Sequence, residues 1–433
     1  MKEISIGLIG AGTVGGGVIK VLNNRLKAIR EDMGLPLKLA RVADKVTSRF
    51  NDLPVGDALC TSDAQDIIDD PSIDIVIELI GGTTFAKKVV LAALKAKKHV
   101  ITANKALIAE YGPEIFECAG QNGVSFYFEA SVGGGMPIIK AIREGLVGNN
   151  VLSIKTIING TCNYILTKMS HDGLPFETVL KQAQEKGYAE ADPTLDIGGG
   201  DTGHKIAILA SLISNGYVPY EKISKEGITS ISKDDIAFAK ELGYTIKLLG
   251  IINRNIDEKE VDVRVHPAML HTDHIIASVN DVFNAVLLEG DAVGRILLYG
   301  RGAGEMPTAS AVVSDIIDVA RNIASGNNIR IPMNYYSTNK EVHVKPFESI
   351  SSRYYLRFTV TDKPKVLASI ASYLGEHGIS IASVMQKEGY SKDNVPVVII
   401  THTASEQGIR DAIADIENAD YTRDKTQIIR IVD

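Results

Sequence analysis

Over the first 130 positions, short unbroken apolar runs alternate with stripes of apolar residues at helical spacing. Residues 4–9, apolar but for Ser5, close at Gly10, the pattern of a buried parallel strand; Val18, Val21 and Leu22 then recur as on one face of a helix. The same reading predicts strands at 37–43, 73–80, 99–103 and 124–129, and helices at 85–96 and 113–122. Strand and helix in alternation imply a doubly wound α/β layer.

After residue 130 the pattern becomes mixed. Residues 152–158 are strand-like and run into Asn159-Gly160-Thr161, a turn that opens a helix. From Thr202 an apolar stripe, Ile206, Leu209, Ala210 and Ile213, predicts another helix. Segments 244–253 and 261–266 are β-rich, and a helix is expected from near Thr308. Residues 327–351 are polar and irregular, as in a linker. Beyond them come a strand (354–360), a helix (364–376), strands at 379–386 and 397–402, a helix (406–417) and a last strand (427–432). The order βαββαβ is that of a ferredoxin-like split fold. The expected domains are 1–130, completed by about 305–326, then 131–304, the linker 327–351, and 352–433.

At 433 residues the chain is too long for one core. Its net charge of −7 gives no electrostatic case for nucleic acid or an anionic membrane, and no run of eighteen apolar residues occurs. The N-terminus lacks a signal-peptide apolar region. The three cysteines, Cys60, Cys118 and Cys162, are scattered and odd in number, so reduced thiols in a cytoplasmic enzyme are expected.

The first strand leads into GAGTVG, with Gly10, Gly12 and Gly15 between strand and helix. Such glycines let a pyrophosphate approach the helix N-terminus, where free N–H groups favour anions. Asp44, ending the second strand, suits the ribose hydroxyl of NAD, whereas Lys45 and Arg49 suit the 2′-phosphate of NADP. Gly81 and Gly82, and Thr102-Ala103-Asn104-Lys105, lie at strand carboxyl ends, where open α/β sheets bind ligands. The stretch 187–205, GYAEADPTLDIGGGDTGHK, holds Glu190, Asp192, Asp196, Asp201 and Lys205. Pro193 and the triple glycine predict a flexible loop, with Asp201 as the N-cap of the following helix. So many acids also suit a solvated loop, but a lysine at a helix N-terminus opposes the macrodipole and favours a site. ASVGGGMPII exposes carbonyls around Val132 and Gly134, of the kind hard cations take. His266, His271 and His274 fit no ligand spacing and are expected on the surface.

Together these segments resemble homoserine dehydrogenase: GLIGAGTVGGGV, HVITANKALIA, FEASVGGGMPII, NGTCNYIL, GYAEADPTLDIGGGDTGHK and YGRGAGEMPTASAVVSD, in order from residue 3 to about 325. The resemblance implies a Rossmann-type dinucleotide-binding domain and an α+β catalytic and dimerisation domain. It implies reversible hydride transfer between a nicotinamide cofactor and the L-aspartate 4-semialdehyde/L-homoserine pair. Carried over residue by residue, Lys205 is the acid/base lysine, Lys105 a second lysine at the carbonyl and nicotinamide, and Asp201 the partner of Lys205. Glu190 would receive the substrate ammonium, with Asp196, Thr161, Gly160 and Tyr188 around it. Cofactor contacts would come from Gly10, Gly12, Thr13, Val14, Gly15, Asp44, Lys45, Arg49, Gly81, Lys105, Gly187, Gly302 and Glu305. A monovalent cation such as Na+ would lie at Glu129, Val132, Gly134 and Met136, outside catalysis. A phosphate shared by two cations tips the cofactor choice toward NADP.

The segment VTDKPKVLASIASYLGEHGISIASVMQKE resembles an ACT domain, an amino-acid-sensing module, and L-threonine is the expected ligand. The family's glycine after the proline is Lys365 here, which would crowd that pocket. A homodimer or homotetramer is expected. The alternatives are another nicotinamide-dependent amino-acid aldehyde oxidoreductase and a catalytically inactive amino-acid sensor. Intact Lys105, Glu190, Asp201 and Lys205 argue against the sensor.

Overall fold

Six strands of one sense form the nucleotide sheet: β1 (Ile4–Ile9), β2 (Leu37–Ala43), β3 (Leu59–Thr61), β4 (Ile75–Glu78), β5 (His99–Thr102) and β6 (Phe126–Tyr127), ordered β3-β2-β1-β4-β5-β6. The structure, a computed structural model, describes residues 3–257, 259–327, 342–387, 390–391 and 393–432. The chain divides into two units, one drawn from 1–154, 204–222 and 283–342, the other from 155–203, 223–282 and 343–433.

In the first unit the sheet carries α1 (Thr13–Met33), α2 (Gln65–Ile68), α3 (Thr84–Lys95) and α4 (Lys105–Asn122). Helix α1 and the later helix Glu305–Ala324 share one core with the sheet, through Val18, Ile19 and Leu22 against Ala309, Val312 and Ile316. The turn into α1 is so close that a Cβ on Gly15 would lie 1.9 Å from the Gly10 carbonyl oxygen, which only glycine avoids.

Helix α4 begins at Lys105, eight residues before the expected start, and holds Pro113 inside it. Proline supplies no N–H to the carbonyl four residues back, so Ala109 O would lose its helical donor. The Tyr217 hydroxyl donates to that oxygen at 3.0 Å and replaces it. Strands β4 and β6 are also shorter than expected, and Glu129 lies on the single helical turn Glu129–Ser131 rather than in a strand. An unanticipated hairpin, Phe283–Gly290 with Gly294–Arg301, precedes the helix Glu305–Ala324.

In the second unit, Tyr244–Asn255 and Glu260–His271 pair antiparallel. The C-terminal strand Gln427–Val432 then adds parallel to Glu260–His271, with Ala268 opposite Arg430 and Leu270 opposite Val432. Beyond it follow Ser351–Val360, Val395–Thr401 and Ile381–Gln386. The helices Val366–Glu376 and Glu406–Glu417 close that module's core through Ile370, Leu374, Ile409 and Ile413. The βαββαβ module therefore continues the neighbouring sheet instead of standing alone. Of the expected linker, residues 328–341 lie outside the described residues, and His343–Val344 pairs with Glu260 and Val261.

His266 is not on the surface. It is fully buried, accepts from Arg264 Nε at 3.1 Å and donates through Nδ1 to Pro267 O at 2.9 Å. Burial, with Arg430 and Arg264 beside it, holds its pKa well below the usual histidine value, so the ring is neutral.

Candidate active site

A cleft of about 550 Å³ opens at the carboxyl ends of β1, β2 and β4, lined by Gly10, Gly12, Asp44, Lys45, Arg49, Gly81 and Phe85 among others. Helix α1 starts there at Thr13, followed by Val14 and Gly15. Its N-cap Gly12 makes no side-chain cap bond and its first turn has no acid. Those N–H groups are accordingly suited to an anion. Glu305 opens the helix Glu305–Ala324 and pairs with Lys20 of α1 at 2.7 Å.

Asp44 is occupied within the protein. Ala11 N–H and Val46 N–H each donate to its carboxylate at 2.7 Å, and Arg49 Nη1 lies 3.0 Å from Oδ2. Burial alone would raise its pKa, but these donors outweigh it and hold the carboxyl below its ordinary value. Arg49 keeps an exposed side, and Lys45 lies 5.3 Å from the centre of the Phe85 ring.

A second group at the strand ends escaped sequence reasoning. Glu78, fully buried at the end of β4, accepts from Thr102 Oγ1 and Ile80 N–H, each at 2.6 Å. Burial pushes its pKa up to about 7 against those bonds. Thr102 Oγ1 in turn accepts from Asn104 N–H at 2.9 Å, and Asn104 caps α4 by accepting from Leu107 N–H at 3.1 Å. This chain of bonds fixes the turn from which half-buried Lys105 projects. An acid ending an apolar strand was the available signal.

The acidic stretch is more ordered than a flexible loop. Thr194–Ile197 forms a short helix, and the next helix, Gly200–Ser214, begins before Asp201. Asp201 thus sits in the first turn instead of capping it, and Lys205 follows one turn later. The two are only 5% and 9% exposed. Asn159 donates from Nδ2 to Asp196 Oδ1 at 2.7 Å and Asp201 Oδ2 at 2.8 Å, joining residues far apart in sequence. The Thr161 hydroxyl donates to Tyr188 O at 2.6 Å, and the Tyr164 and Tyr188 rings lie 5.0 Å apart. Gly160 starts the helix Gly160–Asp172 against the Val282 carbonyl. Glu190 is exposed, with its backbone oxygen accepting from Gln184 Nε2 at 3.1 Å; Gly187 precedes it in a left-handed conformation, φ 72°.

Around the glycine turn, both carboxylate oxygens of buried Glu129 accept backbone N–H groups, from Ile139 at 2.9 Å and Lys140 at 2.8 Å. Val132 and Met136 are buried, and Gly134 (φ 57°) packs so closely that a Cβ would lie 2.5 Å from the Gly302 carbonyl oxygen. Among the described residues no three His, Cys, Asp or Glu side chains form a metal cluster.

Residues 10–129 match the family model described as "Homoserine dehydrogenase, NAD binding domain", residues 137–317 the model "Homoserine dehydrogenase", and residues 354–420 the ACT domain. A homoserine dehydrogenase of Pseudomonas aeruginosa is 45% identical over 420 residues, 96% of each chain. The chain belongs to the homoserine dehydrogenase family. The crystal structure of a homoserine dehydrogenase from Thiobacillus denitrificans superposes with a TM-score of 0.94 at 43% identity, covering 100% of this chain and 99% of that one. A hyperthermophilic archaeal homoserine dehydrogenase in complex with NADPH matches at 25% identity and a TM-score of 0.63, covering 74% of this chain and 98% of its own.

The activity is that of the family, nicotinamide-dependent interconversion of L-aspartate 4-semialdehyde and L-homoserine. The inactive-sensor and other-aldehyde readings are not favoured. No helix among the described residues is long and apolar enough to cross a membrane.

Proposed function

We propose that Lys205 is the acid/base residue of this homoserine dehydrogenase, with Lys105 as the second cation at the reacting carbonyl. The observation that carries the reading is the helix Gly200–Ser214, where Asp201 and Lys205 stand one turn apart, both nine-tenths buried. When bound, the nicotinamide supplies or takes up the hydride. Lys205 gives a proton to the aldehyde oxygen during reduction and recovers it from the hydroxyl during oxidation. Asp201 orients Lys205, and Lys105 sets positive charge where the oxyanion develops. The exposed Glu190 carboxylate receives the substrate ammonium, with Gly160, Thr161, Tyr188 and Asp196 completing the polar pocket.

NADP is the proposed cofactor. Both Asp44 oxygens are already engaged by Ala11, Val46 and Arg49, while Lys45 and Arg49 line the same cleft as candidates for the 2′-phosphate. The archaeal relative in complex with NADPH supports the same choice. Gly187, Gly302 and Glu305 are assigned to the cofactor side as well. A monovalent cation such as Na+ is assigned to the carbonyls of Glu129, Val132, Gly134 and Met136. L-threonine is the proposed ligand of the C-terminal module, and a homodimer or homotetramer the proposed assembly. The free cysteines support a cytoplasmic enzyme.

Aldehyde-dependent NADPH oxidation by Lys205→Ala tests the central assignment. A loss of roughly 10²–10⁴-fold in kcat with NADPH binding retained is expected. Near-normal turnover by the folded variant overturns it.

A further inference from the structure

We infer that Asn159 is a positioning residue of the substrate site, holding Asp196 and Asp201 in one fixed arrangement. This rests on the reading of those two acids as substrate-site residues. The Asn159 side chain does two jobs with its two polar atoms. Its Oδ1 accepts from Cys162 N–H at 2.8 Å, capping the helix Gly160–Asp172. Its Nδ2 donates to Asp196 and to Asp201, at 2.7 and 2.8 Å. A primary amide has two N–H hydrogens, so each carboxylate receives one.

The burial of this arrangement gives it consequence. Asn159 and Asp201 are each 5% exposed, so the amide stands largely in place of water between two like charges. Hydrogen bonds to ionised acceptors are stronger than neutral ones, and the anchor is itself fixed by the helix cap it makes. Asp196 is held twice, because Cys162 Sγ also donates to its backbone oxygen at 3.2 Å. Asp201 belongs to the first turn of the helix that carries Lys205, so fixing this carboxylate fixes the start of the element presenting the proposed proton donor.

The residue type is specific to the double task. Serine would cap the helix but bring no pair of donors. Aspartate would cap it and add a third carboxylate to two others.

The test separates the cap from the bridge. Asn159→Ser keeps an oxygen for Cys162 N–H and loses both donors. Its kcat/KM for homoserine is expected to fall about 10–100-fold, the scale of a misplaced group. NADPH affinity, read by fluorescence titration, stays within about twofold, since Asn159 touches no proposed cofactor residue. Introduced into Asp201→Asn, the same change is expected to cost at least about fivefold less than in wild type, because one partner it orients is already altered. A role confined to the helix cap would cost the same in both backgrounds. Equal costs, or wild-type kcat/KM in folded Asn159→Ser, overturn the inference. If Asn159→Ser does not fold, Asn159→Asp is measured in its place; a loss at least as large is expected, and wild-type kinetics overturn the inference. Wild-type kinetics in both Asp196→Asn and Asp201→Asn would remove the site reading itself, and the inference with it.

Discussion

Arg430, on the last strand, grips Glu226 with both arms of its guanidinium: Nη1 to Oε2 at 2.5 Å and Nη2 to Oε1 at 3.0 Å. The same buried guanidinium also donates through Nε to Glu406 Oε2 at 2.9 Å, and Tyr354 donates to that oxygen at 2.9 Å. The C-terminal module is thus fastened by a charge network as well as by its shared strand. Arg430→Ala leaves Glu406, itself fully buried, short of its main cation. Breaking one partner of such a pair costs about 3–5 kcal/mol, so a lower urea midpoint is expected; an unchanged midpoint would show that Arg410 and Tyr354 suffice.

Arg49 lines the cleft beside Asp44 and is the proposed 2′-phosphate contact. Arg49→Ala is expected to lower kcat/KM with NADPH by about 10–100-fold, the usual worth of a charge-assisted bond. NADH should suffer much less. Steady-state rates with both cofactors check this, and equal losses would count against a 2′-phosphate contact.

Glu78 makes stability depend on pH in a definite direction. Its folded pKa of about 7 lies above the ordinary carboxyl value of 4.5, so the native state binds the extra proton. Stability from this group is greatest below about 4.5 and falls as pH rises through about 7. The full effect is on the order of 3 kcal/mol. Glu78→Gln should flatten that slope between pH 5 and 7 in urea titrations; an unaltered slope would refute the assignment.

Pro113 and Tyr217 compensate each other. Tyr217→Phe removes the donor to Ala109 O and should destabilise by about 1–3 kcal/mol. Pro113→Ala restores the helical N–H, so the loss from Tyr217→Phe should shrink in that background. Additive losses in thermal melts would mean that the hydroxyl serves another partner.

Lys365 has φ 78°, a left-handed conformation in which a side chain is strained. Lys365→Gly relieves about 1–2 kcal/mol of strain against roughly 0.5–1 kcal/mol of added chain entropy, so a modest gain in stability is expected. It also removes the side chain that stands where the proposed L-threonine site expects glycine. L-threonine should then bind more tightly by calorimetry, and no gain in affinity would separate the module from threonine.

Much of the nucleotide-binding half was legible because its signals are local. The strand, tight turn and helix around Gly10, Gly12 and Gly15 are contiguous in residues 4–33, and apolar periodicity there reports burial on both faces of a parallel sheet. The C-terminal βαββαβ order was readable for the same reason.

What the tertiary structure decided involves partners distant in sequence. Pro113 marked a helix start until Tyr217, from another part of the chain, replaced its missing bond. Asp44 is an acid at a strand end by sequence, and only the fold shows that Ala11, Val46 and Arg49 bond its oxygens. The acidic stretch read as a loop because nothing local reveals that Asn159 ties Asp196 to Asp201. The C-terminal module looked separate until Gln427–Val432 joined the neighbouring sheet. Side-chain hydrogen bonds and strand pairings between distant segments leave no periodicity in the sequence. They exist only once the folded backbone brings donor within about 3 Å of acceptor.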